Sequence, residues 1–208
     1  MGTEDAAELI AELKEQRSEH EQEGRFNRTA ALIIALVAAV LAVGGLGGGN
    51  ATDEMIISNI RASDTWAFYQ AKNVRQTMYE IDLAELESRL PQAGAGRAAL
   101  EARIADAGAT IARYDDEPDP AAPDDPLRGE GKKQLQAQAQ VFEAARDVAV
   151  AKDDNFDLAE VALQLALVLG SVAILAHNRT VLVAAGALGA LGVLLTLNGF
   201  LLLFALPL

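Results

Sequence analysis

This 208-residue chain carries 30 acidic and 17 basic side chains, a net charge of −13 at pH 7, on a composition that is 51% apolar. An acidic balance of that size argues against nucleic-acid binding. The absence of cysteine removes disulfide bonds, thiolate nucleophiles and cysteine-ligated metals from consideration.

The first predicted element is a short acidic helix over residues 3–23, with Leu9, Ile10 and Leu13 as a thin apolar stripe and Gly24 as its stop. A frayed, solvated tail is the alternative. Residues 1–28 hold eight acids, the wrong charge for the basic start of a secretory signal, so the apolar run that follows is expected to be retained. That run, residues 29–49, has no charged residue and is long enough to cross a bilayer as a helix. Arg25 and Arg28 precede it, and Asp53 and Glu54 follow it. The positive-inside rule therefore assigns residues 1–28 to the cytoplasm.

Residues 50–157 are expected to form an extracytoplasmic helical module. No Pro or Gly interrupts Asn50–Leu90, so the first span should continue as helix. Ile57, Ile60, Ala67, Ala71, Val74, Met78 and Ile81 fall on one heptad stripe, broken by Asp64. Pro91 and the Gly94, Ala95, Gly96 run mark a turn. Leu100, Ile104, Ala107 and Ile111 predict a second helix over 97–114. Residues 115–131 hold four of the six prolines and many acids, the composition of a disordered or extended linker. A third helix begins near Lys132, with Leu135, Phe142, Ala145, Ala149 and Phe156 as its stripe.

That helix runs without a breaker into a second apolar span, 158–176, whose one charge is Glu160. Residues 177–180 form a tight cytoplasmic turn, and 181–208 are a third, uncharged span. The tripeptide Asn27, Arg28, Thr29 before the first span returns as Asn178, Arg179, Thr180 before the third, which argues for a shared orientation. Asn and Thr can satisfy free amides at a helix start, and Arg can reach the headgroups. Asn27, Asn50 and Asn178 also match the glycosylation acceptor pattern, but at span edges capping is the simpler reading. The expected fold is an all-α membrane protein. Three transmembrane helices carry an external α-helical bundle or coiled-coil module built from extensions of helices one and two.

Three features are candidates for function. Asp153, Asp157, Glu160 and Gln164 recur at spacings that share one helix face. Counted from the turn at about 1.5 Å per residue, Glu160 and Gln164 should meet Thr196 and Asn198 at similar depth, with Asn50 at the same edge. Such a polar cluster at the membrane edge takes up cations or protons, or else is an interfacial acid with interhelical hydrogen bonds. The second feature is a set of small residues. Gly44/Gly48 and Gly45/Gly49 match G-x-x-x-G, while the third span carries the looser pairs Ala185/Gly189 and Gly186/Ala190, with Gly192 just beyond. Small residues bring helix backbones together in lipid, within one chain or between chains. The third is the aromatic stretch of Trp66, Tyr69, Gln70 and Lys72, an interaction surface or a packing face.

The run Asn50–Glu80, NATDEMIISNIRASDTWAFYQAKNVRQTMYE, resembles the signature of domain-of-unknown-function family 4337, bacterial membrane proteins. The apolar span before it and the two near the C-terminus follow the same layout. The resemblance implies an α-helical bacterial membrane protein of about this size, and the expected location is the inner membrane. It carries over no catalytic or ligand residue, and the acidic Asp115–Asp125 segment lies outside it.

Enzyme motifs are missing. His20 and His177 are far apart, and Gly129 to Lys133 lacks the spacing of a phosphate loop. No cofactor or metal is therefore expected. The sequence reading is a multi-pass membrane protein that self-associates as a structural or accessory component. The alternative is a subunit of a homo-oligomeric ion channel or transporter using the Glu160 face. Its partners are then membrane lipids and either further copies or another membrane complex.

Overall fold

The computed structural model describes residues 3–206, which are almost entirely helical. α1 spans Thr3–Arg89, α2 Arg97–Asp115, α3 Lys132–Leu175 and α4 Arg179–Leu201. Among the described residues there is no β-strand, only an isolated bridge between Pro118 and Gly129. α1, α3 and α4 each contain a segment long and apolar enough to cross a membrane.

α1 runs through Gly24 without a stop. A single glycine costs a helix only about 1 kcal/mol relative to Ala, and nothing stronger opposes propagation until Pro91. The proline ring and its missing N–H end the helix there. Two 3₁₀ turns, Leu90–Gln92 and Gly94–Gly96, then lead into α2. Leu13 is exposed; the side chains of Leu9 and Ile10 lie outside the described residues.

The chain divides into two compact units, the described residues of 1–52 with 149–208, and residues 53–148. In the first, Val37, Leu163 and Ala166 form a buried cluster packed by Ile33, Val40, Leu41, Leu167 and Leu188. α1, α3 and α4 meet there. In the second, the stripes expected of α2 and α3 are buried at Ala107 and Leu135 and half-buried at Leu100, Ile104, Ile111, Phe142 and Ala145, with Gln134 inside as well.

Three expectations need correction. Asn178 caps α4, its side-chain oxygen accepting from the Thr180 and Val181 amides. Asn27 caps nothing, because it lies inside α1, and its Oδ1 is buried without a hydrogen-bond partner. Asn50 also lies inside α1. The third apolar run is helical only to Leu201. Leu202 takes a left-handed backbone, and Phe204 turns back so that its N–H donates to Asn198 Oδ1 at 3.2 Å. Pro207 and Leu208 lie outside the described residues.

The third correction is the loop between α2 and α3, which is closed on itself rather than extended. The Asp119 amide donates to the Arg128 carbonyl and the Glu130 amide to the Glu117 carbonyl. Arg128 bridges Asp119 at 2.7 Å. Gly129, at φ +126, has the Glu117 carbonyl where a side chain would project, so no other residue fits that crossing.

Candidate functional site

The polar edge cluster separates into two sets. Asn198 is buried and donates from Nδ2 to Asn155 Oδ1 at 2.6 Å and to the Phe204 carbonyl at 2.8 Å. Asn155 in turn donates to the Ala151 carbonyl, so this buried amide pair is satisfied on both sides. Two residues before Asn155, Asp153 Oδ1 accepts from Thr52 Oγ1 at 2.9 Å, a hydroxyl shared with the Gly48 carbonyl, which joins α1 to α3. Thr196 is buried, its hydroxyl donating to the Gly192 carbonyl. Glu160 and Gln164 do not meet these groups: both are exposed, and Gln164 donates to Glu160 at 2.8 Å. Asn50 and Asp157 are exposed as well. Desolvation, then the charges of Asp153, Glu160 and Asp154, hold the Asp157 carboxyl above its ordinary value.

Asn155 was missed by sequence reading. Its place beside Phe156, between Ala149 and Ala159 on the inward face of α3, was the available signal.

The glycines divide by face. A Cβ at Gly48 would press on Phe156, at Gly189 on Val37 and at Gly192 on Leu163; at Gly44 it would make ordinary contact with Thr196. These glycines close the α1–α3–α4 packing within one chain. Gly45, Gly49 and Gly186 face open space. Gly47, Gly170 and Gly199 also let side chains approach, and the pair-spacing pattern did not single them out.

The aromatic stretch is mostly a packing face. Trp66 is half-buried, its indole N–H donating to Glu143 at 2.9 Å and its ring edge-on to Tyr69. Gln70 is exposed. Lys72 is buried and ion-paired to Glu117 at 2.9 Å, with the Phe68 and Tyr114 rings within 5.6 Å of its ammonium. Gln76, one turn on, donates to the Ile111 carbonyl. α1 thus uses polar side chains to grip the loop and α2.

At the start of α3, Asp116 accepts from Gln134 at 2.7 Å and from Lys133 at 3.0 Å. Those bonds hold its carboxyl below the ordinary aspartate value and raise the Lys133 ammonium above that of lysine. A depressed carboxyl stabilises above its unfolded value and loses that contribution as pH falls, from roughly pH 4 downward. The protection of amides in loop 116–131, with the intrinsic pH dependence of exchange divided out, should therefore fall on acidification through that range. Asp116→Asn should remove that step; an unchanged profile would discount the contact.

The heptad stripe of α1 faces the opposite way from expectation. Ile57, Ile60, Val74, Met78 and Ile81 are between 48% and 66% exposed, and Ala67 and Ala71 are exposed between them. The inward face carries Ser58, Ala62, Lys72, Gln76 and Leu86 instead. Lys72 and Gln76 can lie inside because Glu117 and the Ile111 carbonyl satisfy them there.

Among the described residues, no three His, Asp or Glu side chains converge as a metal site. A family model described as Domain of unknown function (DUF4337) matches residues 26–202. No curated protein and no solved structure matches the chain.

Proposed function

We propose that this chain, which belongs to the DUF4337 family, is a three-span membrane protein that self-associates as a structural or accessory component of a bacterial inner membrane. In this reading 29–49, 158–176 and the helical part of 181–208 cross the bilayer. The N-terminus and the turn at 177–180 are cytoplasmic, and residues 50–157 lie outside. Three long apolar helices support it, as do Arg25, Arg28 and Arg179 just before two of the spans. The reading gives the chain no reaction to catalyse and no cofactor.

The observation that carries self-association is the exposed stripe Ile57, Ile60, Ala67, Ala71, Val74, Met78, Ile81. Its alternating three- and four-residue spacing is that of a coiled-coil seam, which a second copy of the same helix covers. Copies anchored by the same span leave the membrane in the same direction, so the pair is parallel. Flanking positions then oppose Ile56 to Arg61, Ser63 to Phe68, Gln70 to Arg75 and Thr77 to Asp82, with no like-charged pair among them. Ala67 and Ala71 let the backbones close, and Asp64 is the one repulsive layer, a register device that costs affinity.

Mass measurement in mild detergent tests this. The native chain should be oligomeric, and Val74→Asp with Met78→Asp should be monomeric with unchanged helix content. Asp64→Leu should tighten the assembly tenfold or more, from about 1.5–3 kcal/mol per buried leucine and the repulsion removed. A native chain that stays monomeric at micromolar concentration defeats the reading.

A further inference from the structure

Arg25 of α1 and Arg179 of α4 line one cavity of about 280 Å³ with Gln22, Phe26 and Thr29. A neighbouring cavity of about 350 Å³ shares Gln22, Phe26 and Arg179 and adds Glu23 and His177. Phe26, which lines both, stacks on His177 at 6.2 Å. Neither Arg25 nor Arg179 has a carboxylate partner among the described residues, although acids outnumber bases along the chain. Glu23 lines only the neighbouring cavity, so the first presents two guanidiniums and no acid. Asn178 occupies the Thr180 and Val181 amides, which leaves the guanidiniums as the groups available to an anion.

We propose that the Arg25–Arg179 cavity binds a phosphate group, supplied by an anionic phospholipid headgroup or as free phosphate. A guanidinium matches phosphate oxygens in charge and geometry, and two of them line this cavity. The cavity lies where the apolar segments of α1 and α4 begin, and basic pockets between helices at that level receive lipid headgroups. Gln22 offers a neutral donor, the Thr29 hydroxyl being spent on the Arg25 carbonyl, and Phe26 gives an apolar wall for the start of an acyl chain. The lipid source rests on the membrane reading above; the phosphate chemistry does not.

The test uses the full chain in mild detergent, titrated with short-chain phosphatidylglycerol, short-chain phosphatidylcholine or inorganic phosphate. Native mass spectrometry reads bound adducts. Phosphatidylglycerol should bind in preference to phosphatidylcholine. Arg25→Gln with Arg179→Gln should weaken it on the order of thirty-fold, from two surface cations. Arg28→Gln, outside the cavity, should leave binding unchanged, and the double lysine variant should retain part of it. Inorganic phosphate binding with the same variant dependence, without lipid binding, would identify free phosphate as the source. Equal binding of the two lipids with no phosphate binding, or full binding by the double glutamine variant, overturns the proposal. Vesicle flotation separates the two readings: a chain that stays out of the bilayer defeats the membrane reading and the lipid source together. A chain that embeds but ignores headgroup charge and phosphate defeats this proposal alone.

Discussion

Gly192→Val should destabilise the α1–α3–α4 packing by about 3 kcal/mol, at the upper end of what overpacking costs. A Cβ at this position would lie 2.5 Å from Leu163 Cγ, 2.7 Å from its Cδ2 and 3.2 Å from the Ala159 carbonyl. Leu163 cannot move aside, because it is fully buried against Val37 and Ala166. The Ala159 oxygen is backbone, so relief would require α3 to shift away from α4. Thermal unfolding in mild detergent measures the loss. Gly186→Val is the control, since nothing lies within 4 Å of a Cβ there. Leu163→Ala in the Gly192→Val background should restore part of the lost stability by opening space for the new methyls. Equal melting of Gly192→Val and the native chain would mean that α3 and α4 do not pack through this glycine.

The contrast between Gly192 and Gly186 marks what the sequence makes legible. Small residues at four-residue spacing do signal close helix contact, and Gly48 and Gly189 make it, as does Gly192 just beyond the pairs. The same spacing at Gly45 and Gly49 meets open space, because a one-residue rotation selects a different face. Periodicity names the faces but not which one a neighbour occupies. Gly47 lies outside the G-x-x-x-G pairs: what requires it is the Phe156 ring, 2.5 Å from where its Cβ would be, on a helix over a hundred residues later.

Burial went wrong for a related reason. The boundaries of α2, the start of α3 and the turn capped by Asn178 follow from proline, glycine and capping chemistry, which is local. The inward face of α1 is set by partners remote in sequence. Ile57 and Val74 look like core by hydrophobicity, yet Lys72 and Gln76 take the interior through Glu117 and Ile111. The same remoteness hid the closed loop at 116–131. Its acids and prolines look extended in isolation, but Lys72, Gln134 and Gln138 supply bonds that hold it. The polar cluster shows the limit for sites: depth counting matched Glu160 to Asn198, whereas the helix rotation gives Asn198 to Asn155.

Lys72→Met should cost about 2–3 kcal/mol and loosen loop 116–131. The ammonium is buried to 6% side-chain exposure, with Glu117 at 2.9 Å and Glu130 at 4.0 Å. Breaking a fully buried pair costs about 3–5 kcal/mol, because the remaining charge is stranded. Glu117 keeps 34% of its side chain exposed and has the Arg113 guanidinium at 4.0 Å, so water and that cation compensate it in part and the loss is smaller. Methionine retains most of the packing against Phe68 and Tyr114, which isolates the charge from the volume. Urea unfolding gives the energy, and limited proteolysis within 116–131 gives the location. Adding Glu117→Gln to Lys72→Met should recover stability, since the stranded carboxylate is then gone. That recovery separates an ion pair that orders the loop from a lysine that merely fills space. If the double variant is no more stable than Lys72→Met alone, the loop is held by its own turns and by Gln134 and Gln138, and α1 contributes little to it.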